Sequence, residues 1–322
     1  MIKPLVSIII PCYNRADIIE PAIASVQAQT FQDWELIVLD DGSSDNIRGI
    51  MTKFMETDPR IRLVCHTQNQ GEPAARNTGI SVALGRFIAF LDSDDEWLPE
   101  KLEHQVAAVM AMPDPENVFC VTQTLVMLSA TRRIIRPLQP PAPGRSFAEF
   151  LYNDGGFAQS SSFFLSTALA RRFPFRESLT QMVDHLFFME VGAFGTAYVL
   201  VPEPLTIWHN EARPDRVSLS DNLAKWRTTM QLFFDSTANL IPPHVRIACE
   251  ARFLSGILWQ TSRIESLKLL LRAWRSRALS TRQVAMLFCR NAMSHRTYDA
   301  VRHWLTSLQQ GREVLARCRG IA

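Results

Sequence analysis

The sequence predicts an α/β protein: a mostly parallel sheet flanked by helices, followed by a helical C-terminal appendage. Three observations predict it. Short apolar runs alternate with segments of helical spacing through the first 110 residues. Those runs are mostly apolar and do not strictly alternate with polar residues, as is usual for strands covered on both faces. Beyond about residue 220 proline and glycine thin out and helical periodicity takes over.

Val6 to Ile10 is a β-branched strand closed by Pro11, which empties into a loop at Cys12-Tyr13-Asn14. Asp17-Ile18-Ile19-Glu20 has the form of a capping box, so a helix is expected from there, with Ile18, Ile19, Ala22 and Val26 on one face. Trp34 to Leu39 repeats the strand signal and ends in Asp40-Asp41-Gly42-Ser43-Ser44-Asp45, before a helix marked by Ile47, Ile50, Met51 and Phe54. Arg62 to His66 is a third strand, 72–84 a third helix, and Phe87 to Leu91 a fourth strand running into Asp92-Ser93-Asp94-Asp95. A helix then runs from Pro99 to about Met112.

Asn117 to Leu128 and Arg133 to Leu138 read as a strand pair, and Pro137, Pro140, Pro141, Pro143 and Gly144 make a stiff excursion after it. Phe163 to Leu165 is a further apolar run. A helix holding Asp184 and Glu190 follows Phe175, then a strand Ala197 to Val201, then a loop from Trp208 to Val217 that carries Arg213 and Arg216. The expected organisation is one domain over 1–218 and a basic helical region over 219–322.

The bulk numbers agree with a globular protein. The chain has 322 residues, 47% hydrophobic and 20% charged, enough for a sizeable core. The six cysteines are dispersed without a Cys-x-x-Cys pair, which argues against a zinc site or a disulfide framework. With no leader-like start and no apolar run near the roughly 20 residues that span a bilayer, a reducing, cytoplasmic location is expected. The formal charge of +2 hides an asymmetry. Residues 251–322 hold 13 Lys and Arg against three acids, a balance of +10, which leaves −8 for the first 250. An acidic front half is a poor match for nucleic acid. The basic end is expected either to pack with a solvated rim or to meet anionic lipid headgroups.

In a parallel sheet, ligands bind beyond the carboxyl ends of the strands. Pro11 to Asn14, Asp40-Asp41 and Asp92 to Asp95 stand at three such ends, so they should converge on one edge. In an extended chain Asp92 and Asp94 would project together, and two like charges side by side call for a cation. Hard oxygen ligands suit Mg2+ or Mn2+. The plain alternative is a solvated acidic turn before a helix.

Taken together, Val6 to Asn14, Asp40 to Asp45, Ala75-Arg76-Asn77 and Asp92 to Asp95 resemble the family 2 glycosyltransferases of GT-A fold. The likeness fades by about residue 218. It implies inverting transfer of a sugar from a nucleotide diphosphate donor, commonly a UDP-sugar, to a hydroxyl of a glycan or lipid-linked acceptor, at the inner membrane face. It assigns Asp94 and Asp92 to a divalent cation, with Asp92 also near the ribose, and Asp41 to the base. Pro11, Tyr13, Arg76 and Ser93 join the donor pocket, and His209 is a further candidate metal ligand. The family often carries an acidic pair at the start of a later helix; here its first member is Val183, leaving Asp184 as the candidate general base. Ser160, Ser161 and Ser162 are candidates for the acceptor's neighbourhood. Nucleotidyl transfer is a second reading, but no glycine-rich phosphate loop follows Ile10. A third is a nucleotide-sugar binding module without activity, whose mark would be loss of Asp94 or of a base.

Overall fold

The computed structural model describes residues 3–129, 131–210 and 223–293. Among them nine strands form one sheet. Its parallel half is built from β1 (Val6–Cys12), β2 (Trp34–Asp40), β3 (Ile61–Cys65) and β4 (Phe87–Phe90), in spatial order β3-β2-β1-β4. Every residue of β1 and β2 is buried. Neighbours such as Ile8, Ile9 and Ile10 point to opposite faces and are all fully covered, which explains the unbroken apolar run. Burying each such side chain stabilises by roughly 1.5–3 kcal/mol.

The covering helices are α1 (Glu20–Gln27), α2 (Ile47–Thr57) and α3 (Glu72–Val82). α3 lies close on β1 because Gly79 has no side chain there: a Cβ would stand 2.6 Å from Ile9 Cγ2. Helix 1 starts two residues later than expected, with Ile19 instead of Asp17 at its N-cap and no side-chain cap. The expected capping box does not form, because Pro21 suits the first turn and leaves Asp17 outside.

Beyond β4 the pairing changes. β5 (Glu96–Trp97) follows the acidic turn at once, and α4 (Lys101–Met110) leads to β6 (Val118–Ser129) and β7 (Arg132–Arg136), an antiparallel pair. Two short helices that the periodicity did not show follow or flank the next strand: α5 (Phe147–Tyr152), and α6 (Thr167–Arg172) after β8 (Phe163–Ser166). β8 runs antiparallel between β4 and β6. After α7 (Val183–Ala193) comes β9 (Ala197–His209), parallel to β6. β9 does not stop at Val201 as expected; it continues through Pro202 and Pro204, where the register with β6 shifts on either side of Gln123. Such a bulge lets proline sit in a central strand without breaking the ladder.

α8 (Leu223–Ser236) belongs to the first compact unit, which runs to Leu240; the second begins at Ile241. The boundary drawn from the sequence, 218/219, falls outside the described residues, as do Arg213 and Arg216. The second unit contains α9 (Pro243–Thr261), α10 (Arg263–Arg275) and α11 (Thr281–Ala292), the last two opened by Ser262 and Ser280 side-chain caps. No helix among the described residues is long and apolar enough to cross a membrane.

Candidate active site

Strand register brings the three termini together. Cys12 pairs with Asp40 and Ile9 with Phe90. The next residues are held by the same ladder, Asp41 N donating to Cys12 O and Leu91 N to Ile9 O. The two loops are then stitched: Asn14 N donates to Ser43 Oγ at 2.8 Å, Ser44 N to Asn14 Oδ1 at 2.9 Å, and Ala16 N to Asp45 Oδ2 at 2.8 Å. Asp40, fully buried, accepts from Ser43 N and so braces this loop.

A cavity of ≈ 520 Å³ opens at this edge. Pro11, Tyr13, Asp41, Ser93, Asp92, Asp94 and Asp184 all line it, although they come from four separate stretches of the chain. Arg76 does not. It is 2% exposed and stands behind the wall, where Nη2 donates to Asp92 Oδ1 at 2.6 Å and to Ser160 Oγ at 2.9 Å and pairs with Glu72 at 2.5 Å. Burial opposes its charge, but Glu72, Asp92 and Asp184 hold its guanidinium above the usual pKa. Arg76 thus braces Asp92 from behind the wall.

His209 is also not among the lining residues. Its Nε2 faces Glu96 Oε1 at 2.8 Å and its backbone N–H donates to Asp95 Oδ1 at 3.2 Å. β9 carries the imidazole to β5, and Trp208 lines the cavity. The three serines likewise sit beneath the acidic turn. Ser160 Oγ donates to Asp92, Ser161 Oγ donates to Asp95 at 2.7 Å and accepts from Asp92 N at 3.0 Å, and Ser162 Oγ turns to Gln159 O.

The acidic stretch itself is a turn, closed by Asp95 N donating to Asp92 O, and not the extended tip expected. β4 and β5 clamp it from both sides. Asp95 is fully buried and its carboxylate accepts from Gln159 Nε2 at 2.6 Å as well. Burial first, then the charges of Asp92 and Asp94, push its carboxyl well above the ordinary range. It serves as a buried anchor joining the turn, residues 159–161 and the end of β9.

Asp41 is aimed by its surroundings. His66 Nδ1 lies 2.6 Å from Oδ1, Gln70 N donates to Oδ1 at 2.9 Å, and Gly71 N donates to Oδ2 at 2.7 Å. Gly42 makes this possible: its φ is +74°, and a Cβ would stand 2.6 Å from Gln68 C. Thr78 Oγ1 lies 2.9 Å from the far nitrogen of His66 and fixes the ring.

Asp184 stands in the first turn of α7, after Met182 in the left-handed region at φ 58°. Val183 beside it is buried, so the acid of the usual pair would here face the core. Glu190 pairs with Arg176 at 2.7 Å. Sequence reasoning missed Arg15, Glu72, Gln159 and Glu177, all of which line the cavity, and His66 behind it. Only the fold brings them there.

Among the described residues, six carboxylates line the cavity, Asp41, Glu72, Asp92, Asp94, Glu177 and Asp184, against one cation, Arg15. Like charges about 4 Å apart at an effective dielectric of about 20 repel by roughly 4 kcal/mol. Arg76, paired with Glu72 and Asp92 behind the wall, offsets part of that charge, and a cation beside Asp92 and Asp94 would offset more. No group of three or more His, Cys, Asp or Glu among the described residues could hold a metal alone. Mg2+ and Mn2+ are commonly held by one or two carboxylates completed by substrate phosphates. Asp92 and Asp94 fit that donor set.

Parallel strand ends that meet at an acid-lined cavity define the class: an α/β protein with its candidate ligand site at the carboxyl edge of the sheet. The family is set by comparison: the model of glycosyl transferase family 2 matches residues 7–194, and the chain belongs to that family. TuaG of Bacillus subtilis is 45% identical over 108 residues, 34% of this chain and 43% of TuaG. An Escherichia coli protein, UDP-Glc:alpha-D-GlcNAc-diphosphoundecaprenol beta-1,3-glucosyltransferase WfgD, is 49% identical over 106 residues, 33% of this chain and 41% of WfgD. This chain thus spans about two-fifths of the length of these relatives. Among solved structures, S. aureus TarS 1-349 in complex with UDP-GlcNAc superposes with a TM-score of 0.64 at 18% identity, over 95% of this chain and 92% of that one. The shared fold is GT-A.

Proposed function

We propose that this protein is an inverting glycosyltransferase that moves a sugar from a nucleotide diphosphate donor, a UDP-sugar, to a hydroxyl of a glycan or lipid-linked acceptor. The observation that carries the reading is the acid-lined cavity at the parallel strand ends, where Asp92 and Asp94 would hold a divalent cation beside a diphosphate. The complexes of two structural neighbours agree with it, TarS with UDP-GlcNAc and a Pyrobaculum calidifontis mannosyltransferase with GDP-Man and Mn2+. WfgD, by its name, acts on a diphosphoundecaprenol-linked acceptor, which supports a lipid-linked acceptor here. The enzyme would work in the cytoplasm at the inner membrane face.

In this reading Asp41, with three donors already fixed on its carboxylate, offers its remaining acceptor position to a base N–H. Pro11, Tyr13 and Ser93 line the donor's path. Asp92 and Asp94 would hold Mg2+ or Mn2+, which when bound would supply Lewis acidity to offset the charge growing on the leaving diphosphate. Asp184 takes the proton from the acceptor hydroxyl as that oxygen attacks the anomeric carbon from the face opposite the leaving group.

Thermal unfolding with UDP, UDP-sugars and GDP-sugars, each with Mn2+ and with chelator, tests this. A bound donor at a hundred times its Kd stabilises by about 2.7 kcal/mol. A shift with UDP-sugars that chelator removes is expected. No shift and no donor hydrolysis under either condition would overturn it.

A further inference from the structure

The second compact unit carries a surface that the donor reading does not use. On α10, Ser266, Leu270 and Ala273 are buried, and Ser266 Oγ donates to Ser255 O of α9 at 2.7 Å. On another face Ile264, Leu267, Leu271 and Trp274 are 67%, 44%, 42% and 47% exposed. Their spacing of three, four and three residues places them in one stripe along the helix. Four large apolar side chains side by side in water are an unusual feature, unlike scattered single exposures.

The border of the stripe decides what fits it. At 100° per residue, Lys268, Arg272 and Arg275 run along one edge and Arg263 lies on the other. All four are exposed. Residues 263–277 hold five cations, including Arg277, against one acid, Glu265. Glu265 is turned away from the stripe, behind the basic row, where it pairs with Lys268 at 2.9 Å. A protein partner or second copy would have to bury four neighbouring cations at the rim of its interface. A bilayer of anionic phospholipid takes the apolar stripe into the acyl boundary and leaves the cations at the headgroups, with Trp274 at the depth tryptophan favours. The helix is 13 residues long, too short to span, so it would rest in the plane of the surface.

We infer that α10 is a membrane-docking surface that binds anionic phospholipid bilayers through the stripe Ile264, Leu267, Leu271 and Trp274 and its border of Lys268, Arg272, Arg275 and Arg263. Docking of this kind holds the protein at the surface where a lipid-linked acceptor would reside, but does not depend on that acceptor.

Flotation of the full chain with vesicles of phosphatidylcholine alone, and of phosphatidylcholine with phosphatidylglycerol, tests the inference. Binding only to the second, weakened by salt, is expected. Near an acidic leaflet each Lys or Arg adds about 1 kcal/mol, so Lys268→Gln with Arg275→Gln should weaken binding roughly 30-fold. Leu267→Ser with Trp274→Ser should weaken it at least tenfold, because two large side chains no longer reach the acyl boundary. Both pairs change exposed side chains, and an unaltered melting temperature and donor-induced shift would show that fold and donor site are intact. Equal binding to neutral vesicles, no binding at all, or parent-like binding by both variants overturns the inference. So does a dimer that the apolar pair converts to monomer without altered flotation, since a second copy would then own the stripe.

Discussion

Gly42→Ala is a small change with a large expected cost. Gly42 sits at φ +74°, where an L side chain is strained by about 1–2 kcal/mol. The added methyl would stand 2.6 Å from Gln68 C and 2.7 Å from Asn69 N, both backbone atoms. To reach an ordinary 3.4 Å contact from 2.6 Å, residues 68–69 must retreat by about 0.8 Å. The next two residues donate to Asp41 at 2.9 Å and 2.7 Å, and a shift of that size pulls both beyond hydrogen-bond range. Bonds to a charged group contribute about 1.5–3 kcal/mol each. Allowing for partial relaxation, the loss should be about 4 kcal/mol, a large part of the roughly 5–15 kcal/mol that holds such a domain. Urea unfolding at constant m-value would measure it, and UDP titration with Mn2+ should show affinity at least tenfold weaker because Asp41 is no longer aimed. A loss under 1 kcal/mol together with unchanged UDP affinity would refute the argument that Gly42 sets the Asp41 cradle.

Two further substitutions address the chemistry and the core. Asp184→Asn should keep the donor-induced thermal shift while transfer falls by about 10²–10⁴, the usual contribution of a general base; near-normal turnover would remove Asp184 from that role. Lys101 is fully buried, with Nζ 2.6 Å from Gln105 Oε1 and 3.9 Å from the Trp97 ring centre, and burial lowers its pKa to about 7. Because the unfolded chain keeps the ordinary value of 10.5, it binds more protons than the folded one between about pH 7 and 10.5, so this residue's effect makes stability rise with pH across that window. Lys101→Met should therefore stabilise at pH 7 by about 2 kcal/mol, after subtracting the hydrogen bond to Gln105 and the ring interaction with Trp97 that methionine cannot make, and should flatten that rise. Guanidinium melts at pH 7 and pH 9.5 would show it, and a destabilised variant at both would count against a charge-burial cost.

Much of the first half was legible because its signals are local. Apolar runs of five to seven residues ended by proline or a carboxylate cluster identify buried strands whatever surrounds them, and parallel pairing then sends their ends to one edge. The later elements were harder. α5 has a Ser146–Glu149 capping box in plain view, but six residues are too few for periodicity to register. β9 hid behind Pro202 and Pro204, whose usual meaning is reversed by a bulge that only the facing strand supplies.

From the sequence alone came the α/β class, the convergence of Asp41, Asp92 and Asp94, and the family likeness that pointed to Asp184, because each depends on residue type and order along one chain. Tertiary structure decided which side chains face the cavity. It set Arg76 behind the wall against Asp92 and turned His209 to Glu96. It also sank Asp95 into the core and brought His66, Gln70 and Gly71 onto Asp41. Those outcomes rest on contacts between residues up to 114 positions apart, as in His209 N to Asp95. Orientation within such contacts is set by packing across the sheet, which no local pattern encodes.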